Sequence, residues 1–253
     1  MEHGKVQELF DELHSYWAMQ FARSDQGPAA AMSMEKRFRI GLAVKYYSAR
    51  FAPGEFQTPA LCFAATKMVR AVAQAAGIQA EPVTVTFHAE FEGRKLELGA
   101  SNPRLTRDTA SGRAHHFWTG HEVVHFPAYG LVIDPTALQL AFKYLELGLV
   151  LPVVAAAPTR LRTGDAIAAE LERQQIPATY VVRQANYDYR RMPSWPAVEQ
   201  IAEQALPLVD QAVTSYMAAD GHKLATKGSR DASGAPVVTA VPEPALTDDI
   251  PRG

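Results

Sequence analysis

Residues 120–136 read GHEVVHFPAYGLVIDPT and contain two extended apolar runs on either side of Pro127-Ala128. Proline at position 127 disfavours the α conformation at the residue before it, and the paired valines favour a strand. Two such runs joined by a short turn are typical of a β-hairpin. We therefore predict two antiparallel strands, 121–126 and 129–134, and this hairpin decides how the rest of the chain is interpreted.

The predicted hairpin brings an imidazole and a carboxylate to one face of a sheet. A two-residue turn at Pro127-Ala128 would place His121 directly opposite Asp134, whereas a four-residue loop would make them diagonal neighbours. A three-residue loop would separate them. With either even loop, Asp134 can orient the His121 ring and stabilise its protonated form. A plainer alternative stays open, because Asp before Pro commonly opens a turn.

The first run also matches the HExxH pattern of zinc metalloproteases, through His121, Glu122 and His125. That site requires a helix, in which both histidines share a face and the glutamate acts as general base. In a strand the two histidines lie about 13 Å apart, too far for one ion. The strand interpretation therefore argues against a zinc site here, and a zinc hydrolase using His121 and His125 is kept as an alternative. We expect no metal and no other cofactor.

Helical periodicity dominates the sequence before this hairpin. Apolar residues recur at intervals of three and four over 6–23 and 34–51, which predicts two amphipathic helices. A third helix is predicted to start at Thr58-Pro59, a typical N-cap and first helical residue, and to stop at Gly77. The period then changes to two, which predicts strands over 83–91 and 96–98.

The remaining sequence completes an α+β pattern. The stretch 101–112 is polar and is predicted to be a loop; helices are expected over 136–147, 165–174 and 194–219, and strands over 149–155 and 178–184. We predict one domain, residues 1–219, with helices packed on a mainly antiparallel sheet. Beyond Asp220 large apolar residues nearly vanish, so 220–253 is expected to be a disordered tail.

Cys62 is the chain's single cysteine, so it forms no intramolecular disulfide. The predicted helix start places it where the helix dipole favours a thiolate, and an imidazolium partner such as His121 would favour it further. Gln57 or the Cys62 N–H could then donate to an oxyanion, and Trp118 would lie at the rim of the cleft. The alternative is a core cysteine, because its sequence neighbours are apolar.

Four segments in this order resemble the transglutaminase-like superfamily: the helix that begins near Cys62, AAGIQAEPV at 75–83, GHEVV at 120–124 and YGLVIDPT at 129–136. The resemblance covers about 55–136. It implies a papain-related architecture and a Cys–His–Asp triad, with Cys62 as nucleophile, His121 as general base and acid, and Asp134 as the orienting carboxylate.

The resemblance also has departures. The family's usual His-Ala-Trp is replaced around His121-Glu122, its Trp before the cysteine is absent, and the Arg of the segment leading into the sheet is replaced by Glu81. The implied activity is hydrolysis or acyl transfer at an amide, as in a peptidase, amidase, deamidase or transglutaminase. A catalytically inactive relative that binds peptides is a further alternative.

The composition of the chain argues against some classes of binding partner. The 253 residues include 25 Lys and Arg against 27 Asp and Glu, so no basic excess is available to bind a nucleic-acid backbone. No window of 18 uninterrupted apolar residues is present and the N-terminus lacks a signal-peptide pattern. We expect a cytoplasmic protein, or one exported without a classical signal, that acts on a peptide, protein or small amide and does not bind membranes. The oligomeric state is left open.

Overall fold

A computed structural model of the chain describes residues 3–24, 26–50, 61–108, 115–148, 150–184 and 195–228. The first three helices are α1 (His3–Arg23), α2 (Met34–Arg50) and α3 (Leu61–Ala75). In chain order each packs against the next. Their apolar stripes form the contacts: on α1, for example, Trp17 and Phe21 are four residues apart, are buried, and stack with ring centroids 5.2 Å apart. The predicted N-terminal helices are confirmed over these ranges, and the predicted start of the third at Thr58-Pro59 lies outside the described residues.

In the described part of the chain, nine strands follow, with short helices between some of them and a long helix after them. The strands are β1 (Glu81–Phe91), β2 (Arg94–Leu98), β3 (Leu105–Asp108), β4 (His115–Trp118), β5 (His121–Phe126), β6 (Leu131–Asp134), β7 (Val153–Ala156), β8 (Ala166–Leu171) and β9 (Ile176–Val182). The helices are α4 (Gln139–Lys143) and α5 (Trp195–Gly228), and there are 3-10 turns at Pro127–Tyr129 and Leu145–Leu147.

The main sheet has the order β7-β6-β5-β1-β9-β8, with β2 also paired to β1. Its recorded pairings are antiparallel. Because β7 and β8 at the two ends of this order also contact each other, the sheet is nearly closed. Strands β3 and β4 form a separate two-stranded ribbon. The fold is therefore α+β with a mostly antiparallel sheet, which confirms the predicted fold class.

The two faces of β5 have different neighbours, and this positions the candidate site. Alternate residues of a strand point to opposite faces. Val123 lies with Phe87 and Tyr180 in the apolar interior of the nearly closed sheet. Glu122, on the other face, reaches Thr66 of α3, which packs on β5 and β1. Helix α3, which carries Cys62, therefore lies outside the sheet, against the strand that carries His121.

The predicted hairpin is confirmed as β5 and β6. Val124 pairs with Ile133 and Phe126 with Leu131, so the loop between the strands is 127–130. This is the four-residue alternative, which makes His121 and Asp134 diagonal neighbours on one face. The loop closes at Gly130, whose left-handed backbone (φ 57) donates its N–H to the Pro127 carbonyl.

Two local predictions are wrong. The stretch 165–174, predicted to be a helix, contains strand β8. Its buried residues Ile167 and Leu171 are four apart, a spacing that keeps two side chains on one face of a helix and of a strand alike. Pairing with β9 decides between the two. The stretch 101–112, predicted to be a loop, includes strand β3, which pairs with β4.

At the C-terminal end, α5 runs to Gly228, past residue 219 where the sequence predicts the domain to end. Residues 220–228 of the predicted tail thus belong to this helix, and 229–253 lie outside the described residues. The chain divides into two units, Met1–Val213 and Thr214–Gly253, and the boundary falls within α5. Among the described residues, no helix combines the length and apolar character needed to cross a membrane.

Candidate functional site

Asp134, at the end of β6, is fully buried, and both of its oxygens accept hydrogen bonds. The backbone N–H of Thr136 donates to Oδ1 at 2.9 Å, and the Thr136 hydroxyl to the same oxygen at 3.3 Å. His121 Nε2 lies 2.6 Å from Oδ2, and the Tyr180 hydroxyl donates to Oδ2 at 2.8 Å. Because a buried carboxylate is stable only when its lone pairs are satisfied, these donors account for its burial.

His121, the first residue of β5, is 1% exposed and lies between an acid and a thiol. Burial alone lowers the pKa of the imidazole, but the charge of Asp134, its hydrogen bond and a hydrogen bond with Cys62 outweigh burial and raise the pKa to about 10. The imidazolium is therefore the favoured form at neutral pH.

Cys62 lies in the first turn of α3 and is 6% exposed. Its side chain is the thiol that hydrogen-bonds with His121. Backbone N–H groups in the first turn of a helix have no acceptor within the helix, and the dipole there favours negative charge. The structure thus brings Cys62, His121 and Asp134 into one continuous line of contacts from α3 through β5 to β6.

Two glycines allow the backbone to pass close to His121. A Cβ on Gly99 would lie 2.7 Å from the Val85 carbonyl oxygen and 2.8 Å from the His121 backbone nitrogen, and the residue has φ +77°. A Cβ on Gly120 would instead collide with the indole of Trp118 and with Pro103. Both positions need glycine because no side chain fits there, so Gly99 packs directly on His121 and Gly120 on Trp118.

Trp118 is buried and lies close to the residues that flank the cluster. Its ring centroid is 5.6 Å from that of Phe63, which follows Cys62, and its indole lies over Gly120, which precedes His121. The sequence predicts Trp118 at the rim of the cleft as a candidate substrate residue; the structure buries its side chain beside the residues next to Cys62 and His121. Gln57, the predicted oxyanion donor, lies outside the described residues.

The structural premise of the zinc alternative is wrong, because His121–Phe126 form a strand and not a helix. Nε2 of His121 faces Asp134, whereas Nε2 of His125 lies 2.9 Å from the Pro158 carbonyl oxygen. Within the described ranges, no three His, Cys, Asp or Glu side chains are grouped so that they could hold a metal. The residues of the HExxH pattern therefore do not form the helical zinc site.

Two residues beside the site have contacts that the sequence did not predict. Tyr180 comes from β9, 46 residues after Asp134, and the alternation along that strand indicates burial without naming a partner. Burial, followed by the Asp134 charge, raises the pKa of the Tyr180 hydroxyl well above its ordinary value, so it remains a donor. Glu122 was considered as a zinc-site base, but it is buried and contacts Thr66 on α3.

The fold and the cluster together define an α+β protein with a nearly closed, mostly antiparallel sheet and a buried group of Cys, His and Asp side chains. No protein-family model matches this chain, and no curated protein matches it. Among solved structures, the chain is similar to one described as "The crystal structure of genomics APC5867". The two sequences are 14% identical and the TM-score is 0.37; the match covers 68% of this chain and 77% of that chain. A likeness at this level adds nothing to the assignment of function.

Proposed function

We propose that this protein is a cysteine-dependent hydrolase or acyltransferase of the transglutaminase-like class, acting on amide bonds. Cys62 is the nucleophile, His121 the general base and acid, and Asp134 the residue that orients His121. The observation that carries the proposal is the continuous contact from the Cys62 thiol through the His121 ring to Oδ2 of Asp134. Nucleophilic catalysis by cysteine uses a thiol, an imidazole and an orienting carboxylate in this order, which supports the proposal.

The proposed reaction has two half-reactions. The Cys62 thiolate attacks the carbonyl carbon of the amide and forms a C–S bond; the tetrahedral intermediate then breaks its C–N bond, and His121 donates its proton to the departing amine. Water or an amine next attacks the thioester, gives a proton to His121, and displaces Cys62. The same residues therefore support hydrolysis with water as acceptor and transfer with an amine as acceptor.

The first experiment measures alkylation of the native chain by iodoacetamide at pH 6, followed by intact mass. Because Cys62 is the single cysteine, one added carbamidomethyl group reports on this residue alone. We expect faster labelling than in the urea-unfolded chain, and His121→Ala is expected to remove most of the difference. Labelling no faster than in the unfolded chain would falsify the proposal of an activated thiol.

His125→Ala is the matched control for His121→Ala. Both histidines are buried on the same face of β5, but Nε2 of His125 faces the Pro158 carbonyl and not the cluster. We expect His125→Ala to lower the melting temperature while the labelling rate of Cys62 stays close to that of the parent. An equal loss of labelling in both variants would mean that damage to the strand, rather than loss of the imidazole partner, explains the His121 result.

A second experiment separates an enzyme from an inactive binding relative. The protein is incubated with a panel of peptide amides and glutamine peptides, with and without a fluorescent primary amine, and the products are measured by mass spectrometry. Release of ammonia or of a free amine with the parent, and none with Cys62→Ser, is expected for the proposed enzyme. A chain that labels rapidly yet turns over no member of the panel would favour the binding module.

A further inference from the structure

Glu122 is a buried acid that the proposed mechanism does not use. It directly follows His121 on β5, is 2% exposed, and points to the opposite face of the strand. Its Oε1 is hydrogen-bonded to the hydroxyl of Thr66, which lies on α3 one turn after Cys62. One contact thus joins the helix that carries the thiol to the strand that carries the imidazole, and it does so next to both reactive residues.

The Thr66 hydroxyl is the donor in this contact, and Oε1 of Glu122 is the acceptor. The same hydroxyl lies 3.0 Å from the Phe63 carbonyl oxygen, which also accepts. Thr66 therefore links Glu122 to the backbone of the residue that follows Cys62.

The surroundings of Glu122 agree with a neutral carboxyl group. Burial raises its pKa to about 8, although the Thr66 hydrogen bond and the charges of Arg70 and His121 act in the opposite direction. The cations that face it come from α3 and from β5 itself, and Arg70 donates from Nε to the Ala80 carbonyl at 3.2 Å. Thr84, its neighbour on β1, carries no charge.

We propose that Glu122 is a positioning residue that holds α3 against β5 through Thr66 and so sets the approach of the Cys62 thiol to His121. This inference rests on the proposed function, because it concerns the same thiol and imidazole. Glu122 acts through Thr66 and the helix and does not touch the reacting atoms. A displacement of about 1 Å between reacting groups is enough to lower a rate by up to two orders of magnitude.

The test measures the rate of Cys62 alkylation by iodoacetamide at pH 6.5, together with the melting temperature of each variant. Glu122→Ala and Thr66→Val each remove the link, and we expect each to slow alkylation about tenfold. Glu122→Gln keeps a side-chain oxygen that can accept from Thr66 in nearly the same volume, and we expect alkylation close to the parent rate. Thr66→Val and Glu122→Gln keep the test decisive if Glu122→Ala does not fold.

Val124→Ala is the matched control, because Val124 is buried on the same face of β5 and makes only apolar contacts through its side chain. We expect it to lower the melting temperature and leave the alkylation rate unchanged. Parent-like alkylation in Thr66→Val, or an equal loss in Glu122→Gln or Val124→Ala, would overturn the positioning role. Parent-like alkylation in His121→Ala would instead contradict the proposed function itself, so the two failures are distinguishable.

Discussion

Asp134 determines the protonation of the candidate site, since its carboxylate is the main influence that opposes the burial of His121. Desolvation alone would favour the neutral imidazole, yet the charge and hydrogen bond of Asp134, with Cys62 adding to them, raise the pKa of His121 to about 10. The effect depends on a carboxylate held in place by Thr136 and Tyr180. A single side chain therefore decides whether the ring facing Cys62 carries a proton at neutral pH.

Asp134→Asn is expected to lower the pKa of His121 well below its present value of about 10, because the amide removes the charge while burial of the ring remains. The measurement is an NMR titration of the His121 ring between pH 5 and 11. Tyr180→Phe is the control: it keeps Asp134 and the edge-on packing against Phe87 (ring centroids 5.2 Å apart) and removes one donor. A pKa that stays near 10 in Asp134→Asn would contradict the assigned cause.

At the scale of elements, the turn after β2 has the closest backbone approach to the site. Gly99 adopts a left-handed conformation and leaves no space for a side chain between the Val85 carbonyl and His121. Gly93, in the turn between β1 and β2, has almost the same φ, +75°, but a Cβ there would have no neighbour within 4 Å. Substitutions at Gly93 and Gly99 can therefore be compared: both strain a left-handed backbone, but only the one at Gly99 also collides with β5.

Gly93→Ala is expected to cost about 1 kcal/mol of unfolding free energy, the lower end for a non-glycine residue with positive φ. Gly99→Ala is expected to cost more and also to slow iodoacetamide labelling of Cys62, because its methyl group displaces the first residue of β5. Urea denaturation and labelling rates check both expectations. Equal destabilisation by the two substitutions, with unchanged labelling, would show that the contact with His121 is not limiting.

Local patterns predicted some elements and failed at others for a physical reason. The β5–β6 hairpin was predicted because proline and β-branched residues restrict the backbone within a few positions. Strand β8 was not, because Ile167 and Leu171 fit either a helix or a strand, and only pairing with β9 resolves the choice. The contact of Tyr180 with Asp134 could not be predicted, since it depends on the distant pairing of β9 with β1.

For the molecule as a whole, two buried groups take up protons on folding and make stability depend on pH in the same direction. The pKa of Glu122 is about 8 in the folded chain against 4.5 unfolded, and that of His121 is about 10 against 6.5. Between those values the folded state binds more protons than the unfolded state, so unfolding free energy falls as pH rises. Glu122 lowers the unfolding free energy as the pH rises from about 4.5 to 8, and His121 does so from about 6.5 to 10.

Glu122→Gln is expected to remove the contribution of Glu122 to the pH dependence of stability, because glutamine does not titrate. The measurement is urea denaturation of the parent and of this variant at pH 5, 7 and 9. The difference in unfolding free energy, parent minus variant, should decline between pH 5 and 8 and change little above pH 8. Arg70 and His121, which face Glu122, are present in both proteins and cancel in the difference. A difference that is constant over the three pH values would contradict burial of a protonated Glu122.

The amino-acid sequence by itself determined α1 to α3, the β5–β6 hairpin and the even spacing that puts His121 and Asp134 on one face, because these follow from backbone preferences and side-chain periods over short distances. The catalytic roles of Cys62, His121 and Asp134 remain predictions. Only the tertiary structure decided that 127–130 form the loop, that β8 is a strand, and that Tyr180 and Thr66 reach Asp134 and Glu122. Those outcomes depend on hydrogen bonds between residues far apart in the chain, which no local pattern contains.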